Sequence, residues 1–350
     1  MNNHEHYMQI ALDLAKKGKG SVEPNPMVGC VIVHNDKVVA QGYHQKFGEA
    51  HAEVNAVNNL SKDIDPTECI LYVTLEPCSH HGKTPPCVDL VIAKGFKTVV
   101  LADFDPNPLV AGKGITKLGE AGVEVIMNVL HKEAGELNKR FFTFYKKKRP
   151  FYILKWAQTA DGFICRIPLP ANKADNKISG EEAQKMVHQM RADEMGIMVG
   201  KNTVLVDDPK LTTRLVEGKN PIRIFIDKAL EVPTSFNIYN KEAKTLVFNG
   251  LKDENKENIE FIKIDFTKNV LEQISQKLYD LKIQSVLVEG GSALLNDFIK
   301  QELYDEIFIF ENPELYFKNG LMAPKVVFHE NNFERVGKDK LYKVTPNYGN

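Results

Sequence analysis

His51-Ala52-Glu53, Pro77-Cys78 and Pro86-Cys87 restrict how this chain folds more than any other feature, because an imidazole and two thiols from distant stretches must meet at one point to bind one ion. One imidazole and two thiolates leave a tetrahedral zinc a fourth position for water, which separates a catalytic site from a closed structural one. Zinc lowers the pKa of that water towards ~7, so a hydroxide is available to attack an amidine-type carbon that carries an exocyclic amine. Glu53, two residues from His51 on the helix read over His51–Leu60, stands near enough to move protons without ligating the metal. Cys87 precedes a helix-like stretch, Val88–Ala93, whose amides favour a thiolate. The general nucleobase-deaminase pattern is His-x-Glu followed by Pro-Cys-x-x-Cys. Here the cysteines stand nine positions apart. The competing reading is a closed structural zinc with His80 or His81 as fourth ligand, and it leaves Glu53 without a role.

The surrounding sequence reads as α/β. An amphipathic helix over Tyr7–Lys17, with Ile10, Leu14 and Lys17 along one face, precedes a hairpin of Val28–Val33 and Lys37–Ala40 turned at Asn35-Asp36. Apolar strands at Ile70–Val73, Thr98–Leu101 and Val123–Ile126 alternate with helical segments at Val88–Ala93 and Ile115–Glu120, which predicts a three-layer α/β/α sheet. Phe141–Tyr145 runs into Lys146-Lys-Lys-Arg-Pro150, a basic helix end followed by a new strand, Phe151–Leu154, and the boundary is placed there: domains 1–148 and 149–350. The second half predicts strands at Gly196–Val199, Ile222–Ile226, Thr245–Phe248 and Ser285–Val288, helices at Glu181–Arg191, Val270–Leu281 and Ala293–Lys300, and an exposed loop at Lys252–Asn258. No internal repeat relates the halves, which read as different folds.

With 45 basic and 46 acidic residues in 350, no global field favours nucleic acid or an anionic membrane, so phosphate recognition must be local. The single Trp falls in the second half, away from the metal motif, which argues against a stacking channel for a nucleic-acid base. No stretch approaches a membrane span and the N-terminus lacks a signal-peptide pattern, so a cytoplasmic enzyme with no membrane partner is expected. Cys30 and Cys69 read as buried hydrophobes, and Cys165 has no evident partner. His4, His6, His34, His131 and His188 read as surface or packing residues.

Pro24-Asn-Pro-Met-Val-Gly29, His44 with Gly48, His51-Ala-Glu-Val-Asn-Ala56, and Thr74-Leu-Glu-Pro-Cys78 through Thr84-Pro-Pro-Cys87 closely resemble the bifunctional riboflavin-biosynthesis deaminase-reductases. The resemblance implies a cytidine-deaminase-like first domain that uses Zn2+ to deaminate a diaminopyrimidinone ribosylamino 5′-phosphate. It places Asn25, His44 and Lys83 in the substrate pocket. In the second half Lys155-Trp-Ala-Gln-Thr-Ala-Asp-Gly162, Ile178-Ser-Gly180, Arg191-Ala-Asp193, Thr203 to Pro209, Leu211-Thr-Thr-Arg214 and Glu289-Gly-Gly-Ser292 resemble the reductase half of the same family. That implies a dihydrofolate-reductase-like fold, NADPH as cofactor and reduction of the ribosyl group to ribityl.

By the same resemblance Arg191, Leu211, Arg214 and Glu289 contact substrate, the two arginines being suited to its phosphate. Gln158, Lys177, Thr203, Asp207, Gly291 and Ser292 lie along NADPH, and Lys155 and Asp161 are candidates to assist protonation, Asp161 reading equally as a turn residue. A homo-oligomer joined through the reductase domain is expected. Two segments depart from the family's pattern, Asp175-Asn-Lys177 and Glu311–Gly320. They keep open a second reading, a deaminase whose second domain only binds phosphate or oligomerises.

Overall fold

In the N-terminal half, Cys30 and Ile32 alternate with Val31 and Val33, Leu71 and Val73 with Tyr72, and Val99 and Leu101 with Val100, each set facing its own hydrophobic cluster. Strands apolar on both faces need helices on both sides. The computed structural model describes residues 3–80, 85–108, 110–170, 172–328 and 331–346 and divides into two units, Met1–Lys148 and Arg149–Asn350.

The first unit runs α1 (Asn3–Ala15), β1 (Gly29–His34), β2 (Lys37–Tyr43), α2 (Ala52–Asn58), β3 (Ile70–Val73), α3 (Cys87–Ala93), β4 (Thr98–Leu101), α4 (Lys113–Glu120), β5 (Glu124–Ile126), α5 (His131–Leu137) and α6 (Lys139–Lys147). Its sheet has the order β2-β1-β3-β4-β5, with β1 antiparallel to β2 and β3 and the remaining pairs parallel. Helices α2, α3 and α4 cover the face of Cys30 and Ile32, and α1 and α5 cover that of Val31 and Tyr72, which makes the three layers. Asn35 and Asp36 take positive φ (48° and 58°), as a tight right-twisted hairpin turn requires.

One expectation for α1 fails. Its buried side is Tyr7, Met8, Ala11, Leu12, Leu14 and Ala15, whereas Lys17 is exposed beyond the helix. Small Ala11 and Ala15 let the backbone approach β1, where a Cβ on Gly29 would lie 1.9 Å from the Ala11 carbonyl oxygen. Close approach of backbones, not the longest apolar stripe, sets the helix's rotation.

The second unit comprises β6 (Phe151–Thr159), β7 (Phe163–Arg166), α7 (Glu181–Asp193), β8 (Gly196–Gly200), α8 (Lys201–Asp207), β9 (Ile222–Ile226), β10 (Thr245–Asn249), β11 (Glu254–Lys256), β12 (Ile259–Lys263), α9 (Val270–Asp280), β13 (Ser285–Val288), α10 (Ser292–Lys300), β14 (Glu306–Asn312), β15 (Gly320–Met322), β16 (Glu334–Val336) and β17 (Asp339–Val344). Its main sheet has the order β11-β12-β10-β9-β8-β13-β6-β14-β17-β16. It is parallel from β12 to β14 and antiparallel at both edges. Tyr152, Leu154, Met198, Ile224, Phe248 and Val286 face one cluster, and Phe151, Ile153, Val199, Phe225, Val247 and Leu287 face the other, the period-two pattern of a sheet buried on both sides.

The loop expected over Lys252–Asn258 instead contains β11, which pairs antiparallel with β12 through Glu254, Asn255 and Lys256. An edge strand built from polar residues carries no hydrophobic period to reveal it. Among the described residues no helix is long and apolar enough to cross a membrane.

Candidate active sites

His51 is the N-cap residue of α2, with extended backbone (φ −73°, ψ 167°) and no capping bond from its ring. Position and orientation of α2 are fixed by Gly42 on β2, where a Cβ would meet the Ala56 nitrogen at 2.4 Å. Cys78 follows β3 and Cys87 opens α3. His51 Nδ1 lies 3.6 Å from Cys78 Sγ and 3.3 Å from Cys87 Sγ, and the Cys87 backbone N–H donates to Cys78 Sγ (3.3 Å). The three donor atoms lie within 4.8 Å of one another, the single such group among the described residues. Two soft sulfurs and an imidazole at that spacing fit zinc and leave a tetrahedral ion one further position. His80 is exposed and outside the group. His81 and Lys83 lie outside the described residues.

The electrostatics of this cluster favour proton traffic. The hydrogen bond from the Cys87 thiol holds Cys78 below its ordinary value, with burial opposing and His51 assisting, while the same bond pushes Cys87 up. Glu53, on the first turn of α2 and 3% exposed, is raised to about 7 by burial, further by the charge of Cys78, with His51 pulling the other way. His44 Nδ1 donates to the Ala50 carbonyl (3.1 Å), so its Nε2 accepts from Asn25 Nδ2 (3.2 Å). The His44 ring packs edge-on to His51 with centroids 5.4 Å apart. Asn25 and His44 are thereby brought beside the metal-ligand group. The loop carrying Asn25 is tied to the start of α6, where Asn138 exchanges two hydrogen bonds with Met27 (2.9 Å each).

Two carboxylates here escaped the sequence reading. Glu76, two residues before Cys78 and 4% exposed, accepts four backbone N–H groups, from Asp105, Gly112, Gly114 and Ile115 (2.8–3.3 Å). It ties the Cys78 loop to the first turn of α4. Asp105, 8% exposed, is raised to about 7 by burial, with the charges of Glu76 and Cys78 adding. An acid directly before Pro-Cys78 was the available signal for Glu76. Asp105 offered none.

In the second unit a charged cluster forms where β6, β13, α7 and the loop after α8 converge. Glu289 follows β13 and accepts a paired contact from Arg191, Nε to Oε1 at 2.8 Å and Nη2 to Oε2 at 2.9 Å, with Lys155 Nζ 3.9 Å away. Burial alone would raise Glu289, but the charges of Arg191 and then Lys155 outweigh it and leave the carboxyl at about 2. Burial holds Lys155 below its ordinary value. Leu211, with φ 51°, turns the chain so that Arg214 joins the group. The Arg214 Nη1 binds the Thr212 hydroxyl (2.9 Å) and carbonyl (3.3 Å), while its Nε and Nη2 have no hydrogen-bond partner among the described residues. Of the two arginines expected to grip phosphate, only Arg214 therefore presents an open edge. The paired donors of Arg191 face Glu289.

His188, read from sequence as surface or packing, is 6% exposed and adjoins this cluster. Burial, then the charges of Arg191 and Arg214, push it down to about 4. Among the residues expected along the cofactor, Thr203 Oγ1 accepts the Gly291 N–H (3.0 Å), joining α8 to the N-terminus of α10. A Cβ on Gly290 would lie 2.9 Å from the Leu294 side chain, so the Gly-Gly turn closes tightly onto α10. Ser292 accepts from Asn296 (3.0 Å), and Gln158 accepts from Trp156 Nε1 (2.9 Å). Asp207 is exposed at the end of α8. Lys177 is exposed and lines a cavity of about 660 Å³ with Ser179, Asn312 and Lys338. Asp161 accepts from Thr159 Oγ1 and from the backbone of Phe317 and Lys318, so its oxygens hold a loop in place.

Sequence profiles of known families divide the chain in the same order. Residues 1–103 match the cytidine and deoxycytidylate deaminase zinc-binding region, and residues 150–339 match the RibD C-terminal domain. The chain is 43% identical over 316 residues to the riboflavin biosynthesis protein RibD of Aquifex aeolicus, covering 89% of this chain and 87% of that one. The chain belongs to the RibD family. A crystal structure of a RibD-type deaminase/reductase from Thermotoga maritima superposes with a TM-score of 0.87 at 38% identity, covering 98% of this chain and 99% of that one. RibD of Acinetobacter baumannii gives a TM-score of 0.86 at 29% identity over the same shares. The α/β fold class and its two parts, a three-layer cytidine-deaminase-like domain followed by a reductase domain, are thus those of RibD. A zinc-binding deaminase region and an NADPH-using reductase domain set the two cofactors.

Proposed function

We propose that the first unit hydrolytically deaminates a diaminopyrimidinone carrying a ribosylamino 5′-phosphate, and that the second reduces the ribosyl group of the resulting 5-amino-6-(5-phosphoribosylamino)uracil to ribityl with NADPH. A deaminase and a reductase of this kind are the two activities for which the Thermotoga maritima protein is named. The observation that carries the deaminase reading is a His-Cys-Cys donor set within 4.8 Å with a buried carboxyl raised to about 7 beside it. His51, Cys78 and Cys87 would hold zinc, which when bound supplies the Lewis acidity that makes water nucleophilic at neutral pH. Near neutrality Glu53 populates both its protonation states, so it can carry one proton from the attacking water to the ring nitrogen and the second, from the newly added hydroxyl, to the departing ammonia. Asn25 and His44, hydrogen-bonded to each other, orient the pyrimidine, and Lys83 is the further candidate of this pocket.

In the second unit Gln158, Thr203, Asp207, Gly291 and Ser292 are the candidates to hold NADPH, which supplies the hydride. Lys177, which lines a cavity with Ser179, Asn312 and Lys338, is the further candidate of this set. The open donors of Arg214 suit the substrate phosphate. Leu211 shapes the loop that presents them, and Arg191 and Glu289, paired with each other, are the further candidates to contact substrate. Lys155 is the candidate to deliver a proton as the sugar ring opens, its ammonium already weakened by burial. The test supplies the diaminopyrimidinone phosphate with and without NADPH and identifies products by mass. Ammonia and the uracil are expected without NADPH, and the ribityl product only with it. Release of ammonia with no reduction under either condition would overturn the second half.

Five unpaired cysteines, two of them placed to hold zinc, suit the reducing cytoplasm. Assembly as a homo-oligomer through the second unit belongs to the same reading. Sedimentation of the full chain tests it, a monomer being the contrary result.

A further inference from the structure

His188 sits on α7 three residues before Arg191, one helical turn away on the same face. Its Nδ1 accepts the backbone N–H of Arg214 at 2.9 Å, across 26 positions of sequence, so the ring is neutral on that side and carries its proton on Nε2. The segment before Arg214 is fixed by other means. Thr212 is 2% exposed, and its carbonyl faces Nη1 of both Arg191 (3.5 Å) and Arg214 (3.3 Å). Thr213 donates its N–H to Asn220 (2.9 Å) and its hydroxyl to the Lys219 carbonyl (3.0 Å). At Arg214 itself the backbone is held by His188 alone among the described residues, while the side chain leans on Thr212.

We propose that His188 is a positioning residue of the reductase substrate site: by accepting the Arg214 backbone N–H it sets the direction of that guanidinium, so that Nε and Nη2 face the substrate phosphate. The proposal rests on the reading of Arg214 as the phosphate-binding arginine. It concerns binding and leaves hydride transfer untouched, because a phosphate grip made equally in ground and transition states changes KM and not kcat. A role in packing alone predicts something else, namely that any side chain filling the same volume serves as well.

Asparagine distinguishes the two. Its Oδ1 lies as many bonds from Cβ as the histidine Nδ1 does and accepts a hydrogen bond, whereas leucine fills space and accepts none. Steady-state reduction by the full-length enzyme is measured for wild type, His188→Leu, His188→Asn and Arg214→Ala, using the phosphorylated uracil substrate and its dephosphorylated form. Expected for His188→Leu is a KM raised about tenfold or more on the phosphorylated substrate with kcat within about twofold, the scale of one lost positioning hydrogen bond. His188→Asn recovers most of that loss, and on the dephosphorylated substrate all variants match wild type. NADPH affinity reports that the second unit is folded. If His188→Leu loses it, His188→Gln, whose amide oxygen lies one bond further out, takes its place with the same expected rise in KM.

The proposal is overturned if KM stays unchanged when the acceptor is removed, if asparagine fares no better than leucine, or if the penalty persists without the phosphate. An Arg214→Ala variant with normal KM on the phosphorylated substrate would overturn the reading beneath it. Arg214→Ala impaired beside a normal His188→Leu sinks the proposal and leaves that reading standing.

Discussion

Two buried glutamates show how one side-chain type acquires opposite chemistry from its surroundings. Glu53 has mainly burial acting on it, with a thiolate nearby, and rises to about 7, while Glu289 is gripped by Arg191 and falls to about 2. Replacing Glu53 with Gln keeps the shape and removes the exchangeable proton, so ammonia release should drop by about a hundredfold or more while zinc content stays at one ion per chain. An unchanged rate would rule out the proton shuttle. Glu289 gives a pH prediction. Unfolded, its carboxyl titrates near the ordinary 4.5, and folded near about 2. Its contribution is therefore complete above the unfolded value and is lost as pH falls through that window. The contribution is on the order of 3 kcal/mol. Urea unfolding of the second unit, read as wild type minus Glu289→Gln, should show a difference that shrinks as pH drops below the ordinary carboxylate range. A pH-independent difference would mean the carboxylate charge is not what stabilises the cluster.

At the scale of elements, Glu76 joins the Cys78 loop to α4 by satisfying backbone donors at a helix start, where they have no partner within the helix. Gln in its place turns one acceptor into a donor facing N–H groups. The first unit should lose roughly 2–4 kcal/mol by denaturant unfolding and bind zinc more weakly, although no metal ligand has changed. Wild-type zinc affinity in Glu76→Gln would show the loop is held by other contacts.

The same elements mark where sequence was legible. Strands β1, β3, β4, β8, β9, β10 and β13 stand out because burial on both faces demands unbroken apolar runs. Helix α8 has seven residues with only Val204 buried, and β11 is a polar edge, so neither carries a period to read. The grouping of His51, Cys78 and Cys87 was legible because few residue types bind zinc and their spacing is distinctive. Glu76 and His188 were not, since each acts on backbone N–H groups 26 to 39 positions away, which side-chain identity does not encode.

For the whole molecule, the decisive fact is that each unit has hydrophobic clusters of its own. Among the described residues, three clusters are built from residues before 149 and two from residues after it. Zinc held by His51, Cys78 and Cys87 would bind a group that forms only in the folded first unit, so its binding free energy would add to the stability of that unit. Stripping zinc from the full chain with a chelator should lower the unfolding temperature of one transition and leave the other in place. Ammonia release should vanish, while NADPH oxidation continues when the deaminated uracil is supplied from outside. Re-addition of zinc should restore both the transition and ammonia release. Parallel loss of both activities on chelation, with the second transition shifted as well, would show that the reductase core depends on the metal unit, and the separation of the clusters would then not extend to stability.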